Sequence, residues 1–147
     1  MQENTTAPRE KLNLSLSMAG FAPFKALGLL TDNEFWSNRS QLLEGLSENA
    51  KFESLVSVAE KITPQTLAKT LDMLIYDVLL FQVSGKITYH LDRLDQTKKM
   101  AANIPEEELL KWRDKVINYA KEAYHPVNNK LAIEVLLSGF PYMEVRA

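Results

Sequence analysis

Apolar residues in this chain recur at steps of three and four and show almost no strand-like alternation, so the pattern predicts an all-α fold, a helical bundle of about seven helices. Phe35, Trp36, Arg39, Leu42, Leu43 and Leu46 share one stripe, which predicts a helix from about Asn33 to Ser47 opened by the capping-box spacing of Thr31 and Glu34. Phe52, Leu55, Val56 and Ala59 repeat the pattern in a shorter helix. It stops near Lys61, because Pro64 disfavours helical geometry at Thr63. Thr63 then caps the next helix, with Pro64 in its first position. From there Leu67, Leu71, Leu74, Val78 and Phe81 step by four and three. Ile75, Leu79, Leu80 and Val83 widen the apolar surface toward the whole circumference, as expected of a helix at the centre of a bundle. Ser84 and Gly85 end it. Lys86 to Asp95 shows no clean period and reads as a loop or a short irregular helix. A short helix follows over Gln96 to Ala102.

Pro105 with Glu106, Glu107 and Glu108 marks a strong helix start, since proline is preorganised there and carboxylates oppose the positive helix end. Leu109, Trp112, Val116, Ile117, Ala120 and Tyr124 form its apolar face. His125-Pro126 breaks it, Asn128 or Asn129 caps a last helix carrying Leu131, Ile133, Val135, Leu136 and Leu137, and Gly139 with Pro141 stops that one. Near the start, Gly20-Phe21-Ala22-Pro23 is a backbone corner. A helix opens there at Ala22 or Pro23 and runs to Leu30, too short to stand without packing on something. Residues 1–11 are polar and expected to be loosely ordered. No segment repeats at a fixed spacing, which argues against a solenoid.

Charge and composition narrow the functional classes. Seventeen basic against nineteen acidic residues leave a formal charge of -2, without the positive field that draws a protein to phosphate backbones, so direct nucleic-acid binding is not expected. The chain has no cysteine, which excludes disulfides, thiolate zinc sites and cysteine nucleophiles, and points to a reducing, cytoplasmic setting. Its longest apolar run, Met73 to Val83, is about half what a membrane span needs and contains Asp77 and Gln82. The opening MQENTTAPREK has no apolar core and makes neither a signal peptide nor a transit sequence.

The search for chemistry is sparse. His90 lies near Asp92 and Asp95, but no second histidine stands at helical spacing, and the trio reads as solvated surface. His125, before a proline at a helix end, meets free carbonyls there. Ser84-Gly85-Lys86 with Thr88 hints at a phosphate loop, yet Leu80 stands where that loop needs its first glycine. Asp72 and Asp77 are five apart and face different ways. Lys98, Lys99, Lys111, Lys115 and Lys121 are interleaved with acids, as on a solvated helix face. No catalytic, cofactor-binding or metal-binding residue is expected. Seven aromatic residues fall at element ends: Phe21, Phe24, Trp36, Trp112, Tyr124, Phe140 and Tyr142. They are candidate partner or interdomain contacts, or else they close the core and its loops.

Two stretches carry a family likeness. The order LSLSMAGFAPFKALGLL, then a helix opening Asn33-Glu34-Phe35-Trp36-Ser37-Asn38-Arg39, resembles the delta-prime family of bacterial DNA polymerase III clamp-loader subunits. The tail from Tyr124 to Leu137, with Asn128, Leu131, Glu134, Leu136 and Leu137, is similar to that family's closing N-x-x-L-x-x-E-x-L-L helix. The resemblance runs from about Leu12 to Phe140. It implies that residues 12–30 are the end of a lid domain and its corner helix, and that residues 31–147 are the helical collar that joins loader subunits into a ring. The nucleotide-binding core would precede this chain. Motor subunits of the family begin the corner helix with a sensor arginine; Phe24 stands at that position here, with Lys25 next, which favours the non-hydrolysing delta-prime type. The partners implied are the motor subunits and delta. Two alternatives stay open: the collar of a motor subunit, or a small helical ligand-binding or metal-binding enzyme domain using His90, Asp92 and Asp95.

Overall fold

A computed structural model describes residues 6–20, 28–30, 32–47, 51–122 and 129–140. Among them no strand occurs, residues 28–30 are helical, and seven helices have described bounds: α1 (Thr6–Met18), α2 (Asn33–Ser47), α3 (Phe52–Glu60), α4 (Pro64–Ser84), α5 (Leu94–Asn103), α6 (Glu106–Glu122) and α7 (Asn129–Ser138). The fold class is all-α, as the periodicity requires.

Local signals set the boundaries. Thr63 accepts a hydrogen bond from the Thr66 amide, and Pro64 occupies the first turn of α4, so an orphan donor is satisfied where proline has none to offer. At the other end Gly85 adopts φ 72°, a left-handed cap that closes on the Phe81 carbonyl. Glycine carries little penalty there, and this, not phosphate binding, is its role in the fold. The cap of α2 differs from expectation. Asp32 Oδ1 accepts from the Phe35 amide at 3.0 Å, the same three-residue span as the expected pair Thr31 and Glu34 but one residue further on. Thr31 lies outside the described residues. The N-terminal expectation also needs correcting, because residues 6–11 belong to α1. Pro8 is tolerated in a first turn, and Arg9, Glu10 and Lys11 are competent helix formers.

Helix α4 is central, packed on α5 and on α6; α2 packs on α3, α3 on α7, and α6 on α7. Arg113 Nε donates to Asp72 Oδ1 at 3.0 Å near the middle of α4, and Gln82 Nε2 donates to the Ile104 carbonyl at 2.8 Å near its C-terminal end. These two links make α4 and α6 antiparallel. The core fills the space between: Leu42, Leu43 and Leu46 of α2, Leu55 and Ala59 of α3, Leu67, Leu71, Leu74 and Val78 of α4, Trp112 and Val116 of α6, and Ile133 and Leu137 of α7 are all buried. Each buried leucine removes enough apolar surface from water to contribute about 2 kcal/mol before chain entropy is counted.

Candidate functional site

The segment that the sequence leaves without a period, residues 86–93, is non-helical, and the polar chemistry of the molecule gathers beneath it. Asp77 anchors it. Its position on the inner face of α4 buries the carboxylate completely, and Oδ1 accepts the amides of Thr88 at 2.9 Å and Tyr89 at 3.0 Å while Oδ2 accepts that of His90 at 2.7 Å. A chain that leaves a helix must satisfy its amides somewhere; here one buried carboxylate satisfies three in succession. Burial pushes the Asp77 pKa up, and the three amides and the Arg39 charge pull it part of the way back.

His90 is fully buried, contrary to its expected place on a solvated surface. The reversal comes from Asp77, which draws the backbone at His90 onto α4 and turns the ring inward. Its Nε2–H donates to the Thr70 carbonyl at 3.0 Å, which fixes the neutral tautomer, so Nδ1 accepts from Arg39 Nη2 at 3.0 Å. Burial, and then the Arg39 charge, push its pKa down to about 3.

Arg39 reaches in from α2, where its place on the apolar stripe now has a reason. Its guanidinium clamps Asp92 in a two-pronged ion pair, Nη2 to Oδ1 at 2.6 Å and Nη1 to Oδ2 at 3.0 Å, with its Cζ 5.4 Å from the Trp36 ring. Partial burial acts to raise the Asp92 pKa, but the hydrogen bond and charge of Arg39 outweigh it and hold this carboxyl below its ordinary value. Three further bonds tie the segment down. Ser17 of α1 donates to the Tyr89 carbonyl at 2.7 Å, Arg93 to Ser40 Oγ at 3.2 Å, and Gln96 to the Leu43 carbonyl at 2.8 Å. The loop thus fastens α1, α2 and α4 to one another.

The arrangement is a lock of hydrogen bonds and the Arg39–Asp92 ion pair. Both ring nitrogens of His90 are engaged within the chain, and Asp95, the third member of the trio that an enzyme or metal reading needs, stands exposed in the first turn of α5. Among the described residues no three His, Asp or Glu side chains group as a metal site. A cleft of about 250 Å³ opens beside Arg39 between the first turns of α2 and α4, but Asp32 and Glu34 face Lys61 across it, so it offers no dominant charge to a ligand.

The chain matches no family model, no curated protein and no solved structure.

The seven aromatic candidates fare unequally. Trp112 and Phe140 take the second of their two readings and close the core: both are fully buried, with ring centroids 4.6 Å apart, and the indole donates to the Leu136 carbonyl at 3.1 Å. Helix α7 packs on α6 at this point. Trp36 is half-buried and donates to the Leu29 carbonyl at 2.6 Å, so it ties residues 28–30 to α2. Phe21, Phe24, Tyr124 and Tyr142 lie outside the described residues, as do His125 and the corner at residues 21–27. No helix among the described residues is long and apolar enough to cross a membrane.

Acid should expose the cost of the buried histidine. His90 has a lowered pKa in the fold, so the unfolded chain binds its proton near pH 6.5 while the native chain refuses it until about 3. Stability is therefore full above 6.5 and falls as the pH drops toward 3, by about 1.4 kcal/mol per pH unit once the unfolded histidine is charged. Asp92, also lowered, adds loss as pH falls below 3.8, whereas the raised Asp77 acts in the opposite sense. Thermal melts from pH 7 to 4 should show Tm falling, with a shallower fall in His90→Asn. An equal slope in both proteins would contradict this account.

Proposed function

We propose that this chain is a scaffolding module, the C-terminal collar domain of a delta-prime subunit of the bacterial DNA polymerase III clamp loader. The reading rests on the motif order from Leu12 to Phe140 and on the all-α architecture. The observation that carries it is how the polar and apolar groups are distributed. Arg39, Asp77 and His90 are turned inward and bonded to one another or to main chain, with the exposed Asp92 closing on Arg39 at the rim, while Tyr76 and Val83 of α4 and Leu131 and Val135 of α7 are turned outward. A rigid interior with apolar side chains on separate outer faces suits a part that holds neighbours in place. In this role the domain contributes geometry and no reacting group, fixing the position of the nucleotide-binding core that precedes it. Phe24 at the sensor position favours delta-prime over a motor subunit.

Co-purification with the collar domains of the motor subunit and of delta tests the reading. A stable complex on gel filtration, with no ATP hydrolysis by this chain alone, is the expected result. Failure to bind either partner at roughly 50 μM would contradict it, because assembly interfaces of standard size hold well below that concentration.

A further inference from the structure

We propose that α1 is a detachable strap, which leaves its seat beside the loop at residues 86–93 and melts while α2 to α7 and the Asp77 lock stay folded. The inference does not depend on the collar reading. Only the last turn of α1 is seated. Ser15, Ser17, Met18 and the following Ala19 are buried, whereas Arg9 to Asn13 are exposed, and among the described residues α1 has no extended packing against another helix. A free helix of 13 residues is marginal in water, so α1 keeps its form only while that turn is held.

The seat is weakly bonded. Of its four buried residues two are serines, and Ser15 Oγ has no hydrogen-bond partner among the described residues, so docking strips its water and puts nothing in its place. The Ser17 hydroxyl divides one proton between the Leu14 carbonyl of its own helix at 2.8 Å and the Tyr89 carbonyl of the loop at 2.7 Å. When the strap leaves, Ser17 turns to Leu14 or to water, and the Tyr89 carbonyl keeps the Leu91 amide at 3.0 Å. Undocking therefore releases a stranded hydroxyl and orphans no carbonyl, which sets α1 at the low end of the local stabilities in this molecule. Residues 88–90 do not follow it, because Asp77 holds their amides from the side of α4. The chain accordingly has two folded forms, and a partner that binds only the free strap draws it into the second.

Native-state hydrogen exchange at the amides of Leu14 to Ala19 in the full 147-residue chain tests this. The expected rate is roughly 100-fold or more above that of the core amides of α4, with a smaller dependence on denaturant, yet at least about tenfold below that of an unprotected chain. Ser15→Ala and Ser17→Ala raise helix propensity alike, so the difference between them reads the seat. Exchange should be about tenfold slower in Ser15→Ala, which loses the stranded hydroxyl, than in Ser17→Ala, which loses the bond to the loop. Exchange at the α4 rate and with the α4 denaturant slope would overturn the proposal, since α1 would then open only with the whole fold. So would equal rates in the two variants, or a complete lack of protection, which would leave α1 without a seat.

Discussion

Asp77→Ala is expected to destabilise the chain by about 3–5 kcal/mol, enough to leave much of it unfolded at 37 °C if its total stability is ordinary. The substitution removes the acceptor for the amides of Thr88, Tyr89 and His90 together, and leaves those donors beneath a loop that also buries the His90 ring. It also removes a negative charge near Arg39, whose side chain is only 2% exposed. Asp77→Asn is the informative control. An amide keeps one acceptor oxygen, so it can hold two of the three donors while its own NH₂ faces the third, and about half of the loss should persist. Urea titration followed by circular dichroism reads both values. An effect of Asp77→Ala within about 0.5 kcal/mol of zero would mean that the loop is not held by this carboxylate.

Trp112→Ala should cost a comparable amount, about 3–5 kcal/mol, for a different reason. Here the loss is volume: the indole is fully buried, it packs against Phe140, and its removal also takes one of two donors from the Leu136 carbonyl, which keeps the Gly139 amide. The result separates a core role from an interface role. An interface anchor replaced by alanine leaves the isolated chain as stable as before and weakens only its complexes, whereas the structure predicts a lower Tm and a lower denaturation midpoint in the free chain. Trp112→Phe should recover most of the packing and lose the single hydrogen bond, about 1 kcal/mol.

Most helix boundaries were legible because they rest on local chemistry. The Thr63-Pro64 start, the Gly85 stop and the Pro105-Glu106 start are written in residues whose backbone preferences act within a turn. Helix α1 was missed in its first half because Thr6 to Lys11 has no apolar stripe to announce it. The site was hidden for a related reason. Periodicity locates what is buried on a face, but it says nothing of partners that come together across distance in sequence: Arg39 meets Asp92 over 53 positions, and Asp77 meets His90 over 13. Two signals did exist. A lone carboxylate, Asp77, sits in the most apolar run of the chain, and Arg39 occupies an apolar stripe; buried ionic groups call for partners. His90, Asp92 and the aperiodic segment around them are a stretch to which the periodicity assigns no structural role. Read as surface, that stretch concealed what fastens the helices together.

Native-state hydrogen exchange at the amides of Thr88, Tyr89 and His90 tests the central claim most directly. These amides lie outside any helix, where exchange is ordinarily fast, yet each donates to a buried carboxylate. The account predicts that they exchange as slowly as the core amides of α4, with the same dependence on denaturant, because they open only when the whole fold opens. Exchange at the rate of an exposed loop, with α4 still protected, would contradict it.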